Sequence, residues 1–474
     1  MSNQEAVANK YKFGPRDKRG LILGVAISQV FTFAFSLVVF VFLLRSAAHL
    51  YEVILGIILC FLICVITFVN IQTKPIQSWI PLVIMHNQKK LSYAFQHKNS
   101  KIVVDGKRNY PKSLKSLEII AINFQKNSIG LIKDNQRSTV TAVMSMESLP
   151  FALLGDADRD RSVSAWSQVL SAIAYESGSI KKLQWIERTL PDSGEYLDGH
   201  NGLFTESNFP IVTDLDAVSV ARSAGLSYQE LLSAQTREIF RHGIFLACTF
   251  SRKIDWNTLK AEIINLLSRC KEIGLENVSI LSPGELNLYL RHVFDSSPSS
   301  RAVNWPWPHS LQEHWSYLRA DALFIATYSI IEWPRSEVKA GFFLPLMIGC
   351  DIRRSISLVM QPIGALRAAR QVEQAKTEHA ADNAIKNRYG FSSTARAKKE
   401  AEAIERREQE LAAGFAGYRF AGYISVYGQD EKELSNACKQ IEQLASLSLI
   451  DVRRAYGEQR EAFLCTLPLG RGCD

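Results

Sequence analysis

The sequence predicts an α+β protein: an N-terminal two-helix transmembrane hairpin followed by cytoplasmic α+β domains. The last of these is expected to be split ferredoxin-like, with a long charged helical arm. Three observations carry this. Two apolar runs lie close together near the start, at Leu21–Leu44 and Val53–Val69. Behind them, stretches with strand-like alternation are interleaved with stretches of helical period. Late in the chain comes a charged, Ala-rich segment with few large apolar residues.

The first run carries no formal charge. A helix over Leu21–Leu44 would reach about 36 Å, against roughly 30 Å of bilayer hydrocarbon. Ser28, Gln29, Ser36 and Thr67 suit a helix pair in which polar side chains find partners. Lys10, Lys12, Arg16, Lys18 and Arg19 precede the pair, and Lys74, Lys89 and Lys90 follow it. The loop between, Arg45–Glu52, holds one Arg and one Glu. The positive-inside bias then places a two-pass protein in the cell membrane, with both termini and the main domains cytoplasmic. Lys10, Lys12, Arg16, Lys18, Arg19 and Lys74 are the expected membrane-surface contacts, with anionic lipids as partners. A cleaved signal peptide is disfavoured, because the run is too long and a second one follows.

The organisation expected is a basic cytoplasmic N-terminus (1–20), the hairpin (21–71), a juxtamembrane linker (72–116), a first α+β domain (117–241) and a second (242–474). The arm occupies 363–412 of the second. Trp79 stands where an interfacial aromatic anchor is expected, and Ile80–Phe95 reads as a short amphipathic helix leading away from the bilayer. In the first domain Leu117–Phe124, Gly130–Ile132 and Ser138–Ser145 read as strands. Asp158–Tyr175 reads as a helix with its stripe at Trp166, Val169, Leu170, Ile173 and Ala174. Ile180–Glu187 is the next strand, and Val218–Arg241 is mostly helical. In the second domain Ile244–Ser251, Val278–Leu281, Leu323–Ile331, Ala340–Ile348 and Gly417–Tyr427 read as strands. Helices are expected at Trp256–Cys270, from Pro283 to His292, and at Asp430–Leu447.

The arm spans two helical stretches, Ile363–Lys386 and Ser393–Leu411, around Asn387–Phe391. Between Arg367 and Glu410, ten Lys or Arg stand against eight Asp or Glu. Pairs such as Glu373–Lys376 and Glu402–Arg406 have helix-surface spacing. Two readings stay open: a solvated helix pair, or an arm that docks a partner subunit.

Composition narrows the function. The net charge is +8 with 22% charged residues, and much of the excess is juxtamembrane. Eight cysteines are scattered, two of them inside the second apolar run, which fits reduced thiols in a cytoplasmic domain. Neither G-x-x-x-x-G-K-[ST] nor a G-x-G-x-x-G after a strand occurs, and H-E-x-x-H and G-x-S-x-G are missing. His309 and His314 have no cysteine close by, so no metal site is assigned. The acids Asp156, Asp158 and Asp160 fail the calcium-loop pattern and suit a helix N-terminus. No catalytic residue, metal or cofactor is expected, and the chain reads as a non-enzyme. Trp305 and Trp307, with Trp315 and Trp333, could stack single-stranded nucleic acid, but acids offset the nearby arginines; a protein–protein contact or packed loop is favoured. Arg353-Arg354 and Arg367/Arg370 are the best basic patches away from the membrane. The partner-docking candidates are Arg367, Arg370, Arg388, Arg396, Arg406, Trp305 and Trp307.

Three stretches together resemble a known pattern: FGPRDKRG leading into the hairpin; GFFLPLMI followed by RRSISLVMQPIGALRAARQVEQAKTEHAADNAIKNRYGF; and AGYRFAGYISVYGQDEKELSNACKQIEQLA with DVRRAYGEQREAFLCTLPLGRG. They resemble the actinobacterial membrane-protein family associated with conjugative, type IV-like secretion. The C-terminal half is also similar to the N-terminal, non-ATPase region of conjugation ATPases, where a helical arm precedes a strand, a helix and a final LPLG strand leading into the motor domain, here Leu467–Gly470. The resemblance implies a motorless inner-membrane scaffold in a secretion or DNA-transfer machine, docked to a separate ATPase or coupling protein. Other membrane subunits, or further copies of itself, are further partners implied. A type VII-like membrane subunit is one alternative; a membrane-tethered single-stranded nucleic-acid-binding module is another, with direct nucleic-acid contact disfavoured.

Overall fold

In a computed structural model, the structure describes residues 11, 13, 27–46, 49–71, 74–75, 78–88, 114–124, 127–146, 151–176, 178–191, 240–275, 277–294, 306–308, 310–349, 352–388 and 395–473. The two apolar runs form helices α1 (Ile27–Ser46) and α2 (Leu50–Phe68), packed against each other. Their polar side chains meet inside the pair. Gln29 Nε2 donates to the Thr67 carbonyl at 2.9 Å, and Ser36 Oγ lies 3.3 Å from Cys60 Sγ. Ser36 and Thr67 are buried, whereas Phe31, Phe42 and Phe61 are each at least 70% exposed. Among the described residues no helix is long and apolar enough to cross a membrane. The span expected over Leu21–Leu44 rests on the sequence. A two-residue ladder, β1 (Asn70–Ile71) with β2 (Lys74–Pro75), turns the chain into α3, a helix over 79–88.

Among the described residues, the remaining strands form one antiparallel sheet of twelve. β3 (Leu117–Phe124), β4 (Asn127–Asp134) and β5 (Thr139–Met146) make a meander rich in Ile, Val and Thr. Helix α4 (Asp156–Glu176) crosses to β6 (Ile180–Pro191), which pairs with β7 (Phe240–Ser251); α5 (Trp256–Glu272) then leads to β8 (Val278–Ile280) and α6 (Pro283–Phe294). β5 pairs with β7 on one side and with β4 and β8 on the other, so these four strands run β8-β5-β7-β6. Taken in chain order, that is fourth, first, third, second.

The next segment repeats this wiring. β9 (Leu311–Glu313), β10 (Leu318–Ala320) and β11 (Leu323–Glu332) form a second meander. A short helix, α7 (Leu344–Ile348), precedes β12 (Arg354–Ile363). After the arm helices α8 (Ala365–Arg388) and α9 (Ala395–Ala412) come β13 (Gly417–Gly428), α10 (Glu431–Leu447), β14 (Asp451–Arg454) and α11 (Gln459–Leu464). The order is β14-β11-β13-β12, again fourth, first, third, second. The two groups meet through their second strands, with β6 paired to β12 from Arg188↔Ser355 to Leu183↔Met360. An antiparallel seam between equivalent strands gives the sheet an approximate two-fold repeat.

Local chemistry explains the helix starts. Asp255 accepts from the Asn257 and Thr258 amides at the head of α5, and Asp430 accepts from Glu433 N at 2.7 Å before α10. Ser282 and Glu285 cap α6 reciprocally. The stripe expected on α4 buries Val169 and Ile173 against β5, β6 and β7, and α10 buries Leu434, Cys438, Ile441 and Leu444.

Several expectations change. Ala340–Ile348 is a turn and the helix α7: Phe342, Phe343, Leu346 and Met347 pack into the α10 core at helical spacing, with Pro345 in the first turn. β9, β10 and β12 were not expected as strands. The boundary expected at 241/242 falls within β7, which is hydrogen-bonded to both β5 and β6. Most of the helix expected over Val218–Arg241 lies outside the described residues, and its last two positions are strand.

Candidate docking arm and the sheet seam

The arm leaves the sheet where β12 and β13 end as a hairpin, at the Ile363↔Gly417 pair. Its two helices pack on one another, and Lys376 pairs with Glu408 across them. Its base is fixed to the sheet. Ala368 and Val372 are buried there, and a Cβ on Gly417 would stand 3.3 Å from that of Ala368. Tyr175 and Tyr418 tie the base to α4: the Tyr175 hydroxyl donates to the Phe415 carbonyl at 2.9 Å, and the Tyr418 hydroxyl to the Leu170 carbonyl at 2.6 Å. Arg367 and Arg370, on the outer side of that base, and Arg406, further along the arm, are exposed. Arg388 closes α8 and Arg396 lies in the first turn of α9, but their side chains lie outside the described set. A charged helical hairpin on an anchored base can present guanidinium groups to acidic surfaces.

The tryptophan candidates divide differently. Trp307 is 2% exposed and meets Phe294 edge-on at 6.5 Å, in the core formed with Leu290, Val293 and Phe463. It is a core residue, so it is corrected from docking candidate to packing. Trp305 lies outside the described residues, as do Lys10, Lys12, Arg16, Lys18 and Arg19; Lys74 sits in β2, its side chain outside the described set. The basic patch at Arg353-Arg354 is also corrected. Arg354 is fully buried, and Arg353 donates to the His292 carbonyl at 2.6 Å with its guanidinium 5.0 Å from the Tyr427 ring centre.

Compared with known proteins, this chain matches no family model and no curated sequence.

The acids at the start of α4 are engaged. Asp156 reaches Lys339 at 3.0 Å and Arg159 at 3.6 Å, and Asp160 accepts from the Tyr11 hydroxyl at 3.0 Å. Burial, then that carboxylate bond, raises the Tyr11 pKa above its usual value. Among the described residues, no group of three His, Cys, Asp or Glu is placed to hold a metal ion.

Two features of the seam escaped the sequence reading. The first is a buried charged cluster. Glu187, 1% exposed, holds His242 Nδ1 at 2.6 Å and lies 3.8 Å from Arg354 Nη2. On the alternate face, Arg188 donates to the Tyr289 carbonyl and stacks 4.9 Å from its ring. Burial pushes the Tyr289 hydroxyl up to about 12 even though Arg188 opposes the shift. The second is a polar row under the C-terminal segment. Gln184 Nε2 lies within 3.0 Å of Ser357 Oγ and of the Cys465 and Leu467 carbonyls, and Gln184 Oε1 accepts from Gly470 N at 2.9 Å. Lys182 donates to the Gly472 carbonyl at 2.7 Å. Arg471 reaches back to β4, donating to Asp134 Oδ2 from Nη2 at 2.6 Å and from Nε at 3.1 Å. The stretch read as LPLG is thus a buried strap across both halves. Polar residues such as Gln184, Ser357 and Thr249 in otherwise apolar strands were its signal, because a buried amide needs partners.

Proposed function

We propose that this chain is a non-enzymatic scaffold subunit of a conjugative, type IV-like secretion or DNA-transfer machine. It is held at the inner face of the cell membrane by the α1–α2 hairpin and docks a separate ATPase or coupling protein through the α8–α9 arm. The observation that carries the docking part is the arm itself: a charged hairpin rooted in the sheet at its base, with Arg367, Arg370 and Arg406 exposed. The membrane part is supported by the uncharged Leu21–Leu44 run and by a helix pair that turns polar groups inward and phenylalanines outward. Each four-stranded group is read as a ferredoxin-like βαββαβ unit, and the second carries the arm between its second and third strands. The type IV setting rests on the sequence resemblance.

The pairing at Ile363↔Gly417 makes a clean test possible. Residues 364–416 are replaced by a short Asn-Gly-type turn that closes the β12–β13 hairpin, and the intact and armless chains are purified in detergent with their neighbouring genes co-expressed. The intact chain is expected to bring down an ATPase or coupling subunit and the armless chain to lose it while remaining folded. Equal recovery with both removes the arm as the docking element; a lone intact chain removes the scaffold reading.

A further inference from the structure

The helix α3, over 79–88, carries no formal charge and, among the described residues, has protein against one of its faces. On that face Trp79 packs on Trp315 and Tyr456, with ring centres 6.2 and 6.5 Å apart, and His86 meets Trp315 edge-on at 5.4 Å. Leu82, between them, is half-buried. The opposite face shows Ile80, Val83 and Ile84, at 47, 41 and 50% exposure, with i, i+3, i+4 spacing. The inner face is therefore occupied by the second half of the sheet, and the outer face is a small apolar strip.

What covers that strip follows from its place in the chain. The β1–β2 turn is all that separates α3 from the end of α2, and β2 itself packs on α2. Wherever α2 leaves the bilayer, α3 must begin within a few residues of that level. Lys89 and Lys90 follow directly in the sequence and supply charge of the sign that anionic headgroups attract. The segment before α1 is also held to the same half of the sheet. Tyr11 and Val338 exchange backbone hydrogen bonds at 2.8 and 2.9 Å, and Phe13 stacks on Trp333 at 5.3 Å. Both flanks of the hairpin thus grip the second half, which brings that side of the sheet to the membrane.

We infer that α3 is an interfacial helix: its outer strip of Ile80, Val83 and Ile84 lies in the headgroup–acyl boundary of the bilayer while its inner face bolts the sheet to the membrane surface. This rests on the membrane-held reading above. It makes the hairpin part of a rigid mount instead of a tether on a loose linker. Apolar burial in the boundary, strengthened by adjacent basic residues, is the chemistry by which such helices bind lipid.

The test uses the full chain in liposomes of phosphatidylcholine and phosphatidylglycerol containing a diazirine-bearing phosphatidylcholine, irradiated and mapped by peptide mass spectrometry. Lipid adducts are expected on α1 and α2 and on Ile80, Val83 and Ile84, several-fold above those on Leu82. Adducts on α1 and α2 with α3 clean overturn the interfacial helix and leave the membrane anchor standing. Absence of adducts from all three helices overturns the anchor and the interfacial helix together. An Ile80→Gln/Val83→Gln/Ile84→Gln variant, which leaves Trp79 and Leu82 in place, is expected to lose the α3 adducts and keep those on the hairpin. Persistent labelling of α3 in that variant also counts against the strip.

Discussion

Replacing Arg471 with Met tests whether the C-terminal strap is a structural member of the sheet. Arg471 and Asp134 are 8 and 3% exposed at their side chains and are joined by two hydrogen bonds. Removing one partner of a buried ion pair costs about 3–5 kcal/mol, chiefly because a charge stays behind without its counter-ion. Here the remaining carboxylate is partly provided for. Asp134 Oδ1 still accepts from Gln136 N at 3.0 Å, Arg137 N at 3.2 Å and Ser116 Oγ at 3.4 Å. The lower end applies, about 3 kcal/mol, a large share of a typical 5–15 kcal/mol total. The assay is the urea midpoint of the detergent-solubilised chain, together with hydrogen exchange over 465–473. The midpoint is expected to fall and the Gly470 amide to lose protection. Adding Asp134→Asn to Arg471→Met is expected to restore much of the loss, since the stranded charge is then gone. A single-variant effect within about 0.5 kcal/mol, the range of an ordinary surface substitution, would refute the reasoning.

Two further outcomes follow from packing. Trp307→Ala should cost about 3–5 kcal/mol, read as a lowered urea midpoint, because the ring fills the core beside Phe294 and Phe463; a neutral result would return Trp307 to the surface. Gly470→Ala should destabilise by more than about 1 kcal/mol, since the residue sits at φ +59 and an added Cβ would overlap the Thr249 side chain. Gly178→Ala, with nothing within 4 Å of the added Cβ, is the control and should stay within about 0.5 kcal/mol.

How much of this was legible beforehand depended on whether local pattern and tertiary role agreed. β3, α4, α5 and α10 are readable because each has one more deeply buried face whose period shows in the residue types, and β5, β7 and β13, buried on both faces over much of their length, are readable as apolar and β-branched runs. β12 was hidden by Arg353-Arg354, which looks like a surface patch. Burial of Arg354 beside Glu187 depends on a strand more than a hundred residues away. Trp307 misled for the converse reason, because a Pro- and Ser-rich neighbourhood suggests exposure while the ring is held by α6 and α11. The repeat was not visible either. The helix between the first and second strands has 21 residues in one half, as α4, and only 5 in the other, as α7. No common spacing survives that difference. In the arm, charge pattern and helix ends were legible, but which arginines face outward was settled only by the buried base at Ala368 and Val372.

The antiparallel seam has a consequence for growth and for assembly. In each half the long excursion of the chain departs between the second and third strands, after Pro191 in one and after Ile363 in the other. Because β6 and β12 run in opposite directions side by side, those two departure points lie at opposite poles of the same ladder. Lengthening or exchanging either excursion leaves the ladder's register untouched, since loop closure charges only slowly for added residues. The seam therefore has two separate points of variation: evolution, or an engineer, can refit the excursion at one end of the ladder without touching the pairing at the other.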